Sequence, residues 1–182
     1  MNFIVLKKNF KDEKLLKESF MQIFGKQLSF DDKDNYLIIY HDFKDVDDIK
    51  NIINALSIDL SFTPFAYYSF KTKNLEKETS IAINLLDNLD SGIYDLKSAV
   101  ISSDNVLNKK EIFDYLIYNE GINEEFIKGF INNDLNISKA SKNMYIHRNT
   151  LIYKLDKFYN DTGFDLRKFK DMYVLYEVME NK

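Results

Sequence analysis

Residues 136–158 read NISKASKNMYIHRNTLIYKLDKF, and the organisation of the chain follows from them. Ala140, Met144 and Ile146, then Leu151, Leu155 and Phe158, are the apolar positions of two short helical patterns separated by a tight break. The patterns fold two helices onto one seam, a helix-turn-helix. Ser138 is expected to cap the first helix, its hydroxyl accepting from a backbone N–H two or three residues on. The second helix starts near His147 or Arg148. At about 100° of rotation per residue, turning Leu151, Leu155 and Phe158 inward turns Asn149 and Tyr153 almost straight outward. Thr150 and Lys157 flank them.

A helix-turn-helix places the N-terminal part of its second helix in the major groove, so Arg148, Asn149, Thr150 and Tyr153 are expected to reach base edges. Lys139, Lys142, Lys154 and Lys157 lie where phosphates would run. Ser138 and His147, at the heads of the two helices, complete the expected DNA-facing set. Asp156 also points outward and argues the other way: a turn and a half into the helix, it either misses the groove or repels a wrong partner.

The run Ile146-His147-Arg148-Asn149-Thr150-Leu151-Ile152-Tyr153-Lys154-Leu155, with Asn136-Ile137-Ser138 before it and Thr162-Gly163-Phe164-Asp165-Leu166 after it, resembles the C-terminal helix-turn-helix of the PucR/CdaR-type bacterial transcription regulators. It is similar, more distantly, to the Fis-type module. The family pattern is IHRNTLxYRL followed by a TGxDL turn. Ser141 departs from it, standing where Ala is usual, and so does Lys154, standing for Arg. Ser is small enough for a close helix crossing, whereas Lys keeps the charge of Arg without its bidentate fork. The close resemblance covers roughly residues 111–180. It implies a sequence-specific, non-catalytic DNA-binding regulator. It also implies a degenerate GGDEF-like domain upstream, whose closing strand Gly92-Ile93-Tyr94-Asp95-Leu96 resembles, although the GGDEF signature itself is absent.

Composition and charge bound the rest. With 45% hydrophobic residues in 182, the chain can form one large core or two small ones. The absence of Cys removes disulfides and thiolate metal sites and fits a reducing, cytoplasmic setting. The opening MNFIVLKKNFKDEK has four apolar residues before its charges, too few for a signal peptide or a membrane span. Residues 1–135 hold 16 Lys and Arg against 23 Asp and Glu, net −7; residues 136–182 hold 9 against 6, net +3, which together make the chain's −4. A cationic end on an acidic body suits phosphate neutralisation, although an excess of three over 47 residues is also ordinary scatter.

The body alternates strand and helix patterns. Asn2 to Leu6, Gln27 to Phe30, Tyr36 to His41, Phe62 to Phe70 and Gly92 to Leu96 read as strands. Asp31 to Asn35 reads as a polar hairpin loop, and Pro64 directs its strand to an edge or an early position. Lys11 to Phe24, Val46 to Leu56 (capped by Asp45) and Leu75 to Leu89 read as helices. The expected fold class is therefore α+β: a small N-terminal sheet-and-helix domain followed by an all-α helix-turn-helix domain. Residues 1–106 form the dimerisation or sensory domain, 107–122 a bridging helix and 123–182 the DNA-binding domain. In the last, Asn123 caps Glu124 to Asn132, with Phe126, Ile127 and Phe130 inward. Asp165 starts a final helix carrying Leu166, Phe169, Tyr173, Tyr176 and Met179. Its apolar length asks for a cover, from the body or a second subunit, and helix-turn-helix readers commonly pair on two-fold sites.

Other clusters are better explained by folding than by chemistry. Asp31, Asp32, Asp34, Asp42, Asp45, Asp47 and Asp48 lack the spacing of a calcium loop and suit turns and caps. His41 and His147 are too few for a zinc site without Cys. Phe62, Phe65, Tyr67, Tyr68 and Phe70 suit core or interface packing more than an effector pocket. No P-loop, dinucleotide fingerprint or nucleophile elbow occurs. The partners expected are double-stranded DNA, a second copy in a homodimer, and a small-molecule or protein effector at the N-terminal domain. No cofactor, metal or membrane is expected. A protein-interaction module that keeps the fold without binding DNA is the alternative, favoured by Asp156 and the acidic body.

Overall fold

The computed structural model describes residues 2–25, 27–43, 46–69, 72, 74–103, 109–117 and 122–180. It divides into two compact units, Met1–Val106 and Leu107–Lys182. The first unit runs β1 (Asn2–Lys7), α1 (Glu13–Phe24), β2 (Ser29–Lys33), β3 (Tyr36–His41), α2 (Val46–Asp59), β4 (Phe65–Tyr68), α3 (Leu75–Asp87), β5 (Gly92–Tyr94) and α4 (Leu96–Ser102). The strands form one sheet in the order β2-β3-β1-β4-β5. Its pairs are antiparallel except β4 with β5.

β1 is the middle strand because Phe3 to Leu6 is apolar on both sides of the pleat, and all four residues are buried. Ile4 and Leu6 face a core shared with Leu16 and Phe20 of α1 and Ile49, Ile53 and Leu56 of α2. Phe3 points to the other face and stacks on Tyr67, their ring centroids 6.0 Å apart. On that face the Tyr67 hydroxyl donates to Glu78 of α3 at 3.0 Å, and Ile81, Ala82, Leu85 and Leu86 of α3 are buried. Phe62, Tyr67 and Tyr68 thus pack as core residues, with Phe65 half-buried.

Three expectations for this unit need correction. The first hairpin strand is Ser29–Lys33, so Asp31, Asp32 and Lys33 lie in the strand, and the turn is reduced to Asp34 and Asn35, with Asp34 at φ 40°. Charged residues fit there because β2 is an edge strand in contact with water. Lys8 and Lys17 each hold Asp32 at 2.8 Å, and these hydrogen bonds, that of Lys17 foremost, keep its carboxyl well below the usual range. The second correction concerns β4, which is shorter than expected, Phe65–Tyr68, and lies between β1 and β5, so that of the two expected settings, an edge or an early position, Pro64 takes the one at the start of the strand. Pro64 stands outside the strand and contributes only its carbonyl, which accepts from Gly92 N at 2.8 Å. The third concerns β5, which stops at Tyr94 because Asp95 and Ser98 form a capping box that opens α4. That helix is missing from the expected elements. The expected cap Asp45, and Phe70, lie outside the described residues.

The second unit is helical: α5 (Lys109–Ile117), α6 (Glu124–Ile131), α7 (Ile137–Asn143), α8 (Arg148–Thr162) and α9 (Phe169–Glu180). α5, expected as a bridge, lies in this unit and packs on α9, where Lys109 meets Glu177 at 2.8 Å. α9 corrects its expected start. Asp165 to Lys168 form a turn closed by Lys168 N to Asp165 O at 2.8 Å. Asp171, in the first turn of α9, reaches back to accept from Asp165 N at 2.7 Å. The helix therefore begins at Phe169, and its buried face is Met172, Val174, Leu175, Val178 and Met179. Phe169, Tyr173 and Tyr176 are exposed.

Candidate nucleic-acid interface

Leu151, Leu155 and Phe158 of α8 are fully buried, and so is Ala140 of α7, so the two helices cross on the expected seam. Met144 and Ile146 are half-buried. Met144 lies over Gly129 of α6, where a Cβ would come within 2.9 Å of the Met144 Cε. Gly129 thereby lets α6 approach the turn between α7 and α8.

Side-chain hydrogen bonds from asparagines fix the angle between these helices. Asn123 Oδ1 caps α6 by accepting from Phe126 N at 2.8 Å, as expected. Asn133 is buried; its Nδ2 donates to Gly129 O at 2.8 Å, and its Oδ1 accepts from Asn143 Nδ2 at 2.6 Å. The end of α6 is thereby tied to the end of α7. Between them the chain reverses through Asp134 and Leu135, both left-handed at φ 58° and 56°. Asn136, not Ser138, caps α7: its Oδ1 accepts from Ser138 N at 2.9 Å and Lys139 N at 3.0 Å. The carboxamide two residues upstream starts the helix sooner, which leaves Ser138 as an exposed second helical residue. The recurrence of Asn at 133, 136 and 143 was the available signal for this scaffold, since Asn is favoured at caps and in turns.

α8 opens at Arg148 with His147 as its cap, the Nδ1 accepting from Asn149 N at 3.3 Å. Arg148, Asn149 and Thr150 are exposed, and Tyr153 is 66% exposed. Asn149 and Tyr153 lie opposite the seam with Thr150 beside them, and Arg148, the first residue of the helix, is exposed on the flank nearer Leu155. The lysines differ from one another. Lys139 pairs with Asp134 at 2.7 Å and Lys157 with Asp161 at 2.9 Å. Lys154 is half-buried, with its Nζ 5.7 Å from the Phe126 ring centroid, and Lys142 is exposed in the last turn of α7.

Asp156 does not stand alone on this surface. Arg167 Nη1 donates to it at 2.7 Å, while Arg167 Nε donates to Asp165 at 2.6 Å. Burial raises the Asp165 carboxyl, but the hydrogen bonds and charge of Arg167 outweigh it and hold the group below its ordinary value. The same pairing raises Arg167 further. Arg167 went unassigned in the sequence because its partners lie two and eleven residues away around a turn. That turn is closed by Gly163, left-handed at φ 77°, whose N–H donates to Tyr159 O at 2.8 Å. Thr162 Oγ1 accepts from Phe164 N at 3.1 Å.

Residues 125–179 match the family model of the PucR C-terminal helix-turn-helix domain. The resemblance read from Ile146 to Leu166 is borne out over that segment, which spans α6 to α9. The chain is also 38% identical over 50 residues to the uncharacterized protein YxkF of Bacillus subtilis (strain 168), across 28% of this chain and 17% of that protein. Among solved structures, a regulator of polyketide synthase expression from Bifidobacterium adolescentis is similar over 99% of this chain and 78% of its own, at 15% identity and a TM-score of 0.48. Among the described residues no helix is long and apolar enough to cross a membrane, and no group of three or more His, Cys, Asp or Glu could hold a metal.

Proposed function

We propose that the chain is a sequence-specific DNA-binding transcriptional regulator that acts without catalysis and reads its site through α8 of the PucR-type helix-turn-helix. The observation that carries this reading is the exposure of Asn149, Thr150 and Tyr153 on the side of α8 away from fully buried Leu151, Leu155 and Phe158, with Arg148 exposed at the head of the same helix. These are side chains that pair with base edges. Lys142, Lys154, Lys139 and Lys157, with Ser138 and His147 at the helix heads, position the reader on phosphates. The alternative of a protein-only module drew on Asp156 and on the acidic body; the Asp156 carboxylate is paired with Arg167, and the net −7 of residues 1–135 remains the feature that favours it.

Selection of purified protein on random-sequence DNA at two salt concentrations tests the proposal. The expected result is an enriched motif with affinity that falls steeply as salt rises. Binding without any enriched sequence, or no binding at either salt, overturns it.

A further inference from the structure

Tyr145 ends α7 in a conformation that suits glycine. Its N–H donates to Lys142 O at 3.3 Å, and that of Ile146 donates to Ser141 O at 3.0 Å. These are the paired bonds of a Schellman turn, whose reversing residue is left-handed and most often Gly. Here it is Tyr, at φ 54°. Among the described residues four other non-glycines share a positive φ: Asp34, Ser61, Asp134 and Leu135. The first three are short and polar, the residue types that turns favour. Leu135 is half-buried, so packing offsets its strain. Tyr145 is 96% exposed, and its ring gains almost nothing from packing. Strain of this kind, in a bulky residue, gathers at functional positions.

The position of Tyr145 says what it can meet. It stands two residues before His147, the cap of α8, and three before Arg148. At about 3.3–3.6 Å per extended residue, its Cα lies within about 11 Å of that of Arg148. That is less than the ~12 Å width of a major groove, so a reader with Arg148 in the groove brings the turn to the groove's phosphate wall. Lys142 is exposed in the same turn. Toward α6 the ring borders a groove of about 510 Å³ that Glu125, Phe126 and Lys154 also line. The carboxylate makes that groove unfit for phosphate, which leaves the outward edge of the ring.

We propose that the Tyr145 hydroxyl donates a hydrogen bond to a DNA phosphate beside the groove that α8 enters, fixing the register of the reader without reading sequence. The inference rests on the DNA-binding function proposed above. Two properties set this contact apart from the others. A phenol is neutral, so it displaces no counterion. A phosphate is also the same beside every base pair, so the contact is blind to sequence.

Tyr145→Phe removes the hydroxyl alone. Fluorescence anisotropy with selected and random duplexes at two salts is expected to show about tenfold weaker binding to both, with the ratio of the two affinities and the slope of log K against log salt unchanged. Tyr145→Gly, which fits the left-handed turn, is expected to melt no lower than wild type while binding both duplexes at least tenfold more weakly. Such opposite signs exclude a merely structural role. Wild-type affinity of Tyr145→Phe, a loss confined to the selected duplex, a slope lowered by about 0.9 as for a charged contact, or a lower melt of Tyr145→Gly overturns the proposal. Failure of the DNA-binding reading looks different: wild-type protein itself then yields no selected sequence, and the role of Tyr145 falls with it.

Discussion

The double substitution Arg148→Ala, Asn149→Ala separates specific recognition from general attraction to DNA. Both side chains are exposed and neither supports the fold: the hydrogen bond to His147 at this helix start comes from the backbone N–H of Asn149, which Ala retains. Thermal stability should stay within about 0.5 kcal/mol of wild type, the range of ordinary surface substitutions, with Ala at position 149 slightly favourable by helix propensity. Each base contact contributes about 1–3 kcal/mol of discrimination, so the pair removes about 2–6 kcal/mol of the ~4–10 kcal/mol that separates specific from non-specific binding. That is a drop of about thirtyfold or more in affinity for the selected sequence. Affinity for random DNA changes far less, because the lysines remain, and the slope of log K against log salt flattens by about 0.9 for each phosphate that is no longer neutralised. Fluorescence anisotropy with selected and random duplexes at two salts measures both quantities. A ratio of selected to random affinity equal to that of wild type refutes the assignment of α8 as the reader.

Further predictions concern stability. Burial pushes His41 down to about 4, and its Nε2 has no hydrogen-bond partner among the described residues. Its stability contribution is complete above the unfolded value near 6.5 and is lost as pH falls from there to about 4, by about 3 kcal/mol in all. Urea unfolding at pH 7, 5.5 and 4.5 should show this loss, and His41→Phe should flatten it; an unchanged pH profile in the variant removes His41 as the cause. Leu155→Ala, at a fully buried site, should cost about 2–5 kcal/mol, and a melt shifted by less than 1 kcal/mol contradicts the packing of the seam. Tyr145 is 96% exposed at φ 54° in the turn before α8. Tyr145→Gly should therefore relieve left-handed strain, offset in part by chain entropy, for a gain of about 0.5 kcal/mol. Destabilisation on thermal melting would mean that the ring contributes something its exposure hides.

The C-terminal unit was legible because its signals are local. The inward leucines of α8, the Asn123 cap and the His147 start each depend on residues within one or two turns. The misreadings arose where a competing side chain, near in sequence or brought in by the fold, overrode the pattern that was read. Ser138 yielded the cap to Asn136 because a carboxamide was available one position before the helix. The start of α9 moved from Asp165 to Phe169 because Asp171 reached back to the Asp165 amide, an interaction no spacing rule anticipates. That helix buries Met172, Val174, Leu175, Val178 and Met179 and leaves Phe169, Tyr173 and Tyr176 exposed, a division that a helix apolar on nearly every side does not announce. In the N-terminal unit, β1 announced itself by apolar residues on both faces. Strand β2 hid its extent behind Asp31 and Asp32, which a solvent-facing edge tolerates once Lys8 and Lys17 are near.

The charge layout of the reader shows why a weak excess of basic residues suffices for the proposed role. Residues 107–182 contain 12 Lys and Arg and 12 Asp and Glu, so the unit as a whole is neutral and overall attraction to DNA must come from arrangement. Lys139–Asp134 and Lys157–Asp161 are exposed pairs, each contributing at most about 1 kcal/mol. A phosphate can replace such a carboxylate at little cost, and the lysine is held near its place until then. The Asp156–Arg167–Asp165 chain is of another kind. Asp165 is mostly buried, and Arg167 is bound at two ends, so freeing Arg167 for DNA would strand a carboxylate out of water. Its contribution is to offset part of the charge of Asp156 and Asp165 and to tie the turn behind α8 to that helix. Recognition on this reading falls to exposed side chains, Arg148, Asn149, Thr150 and Tyr153, that hold no side-chain bond among the described residues, while the asparagines and the Arg167 link hold the helix that bears them in place.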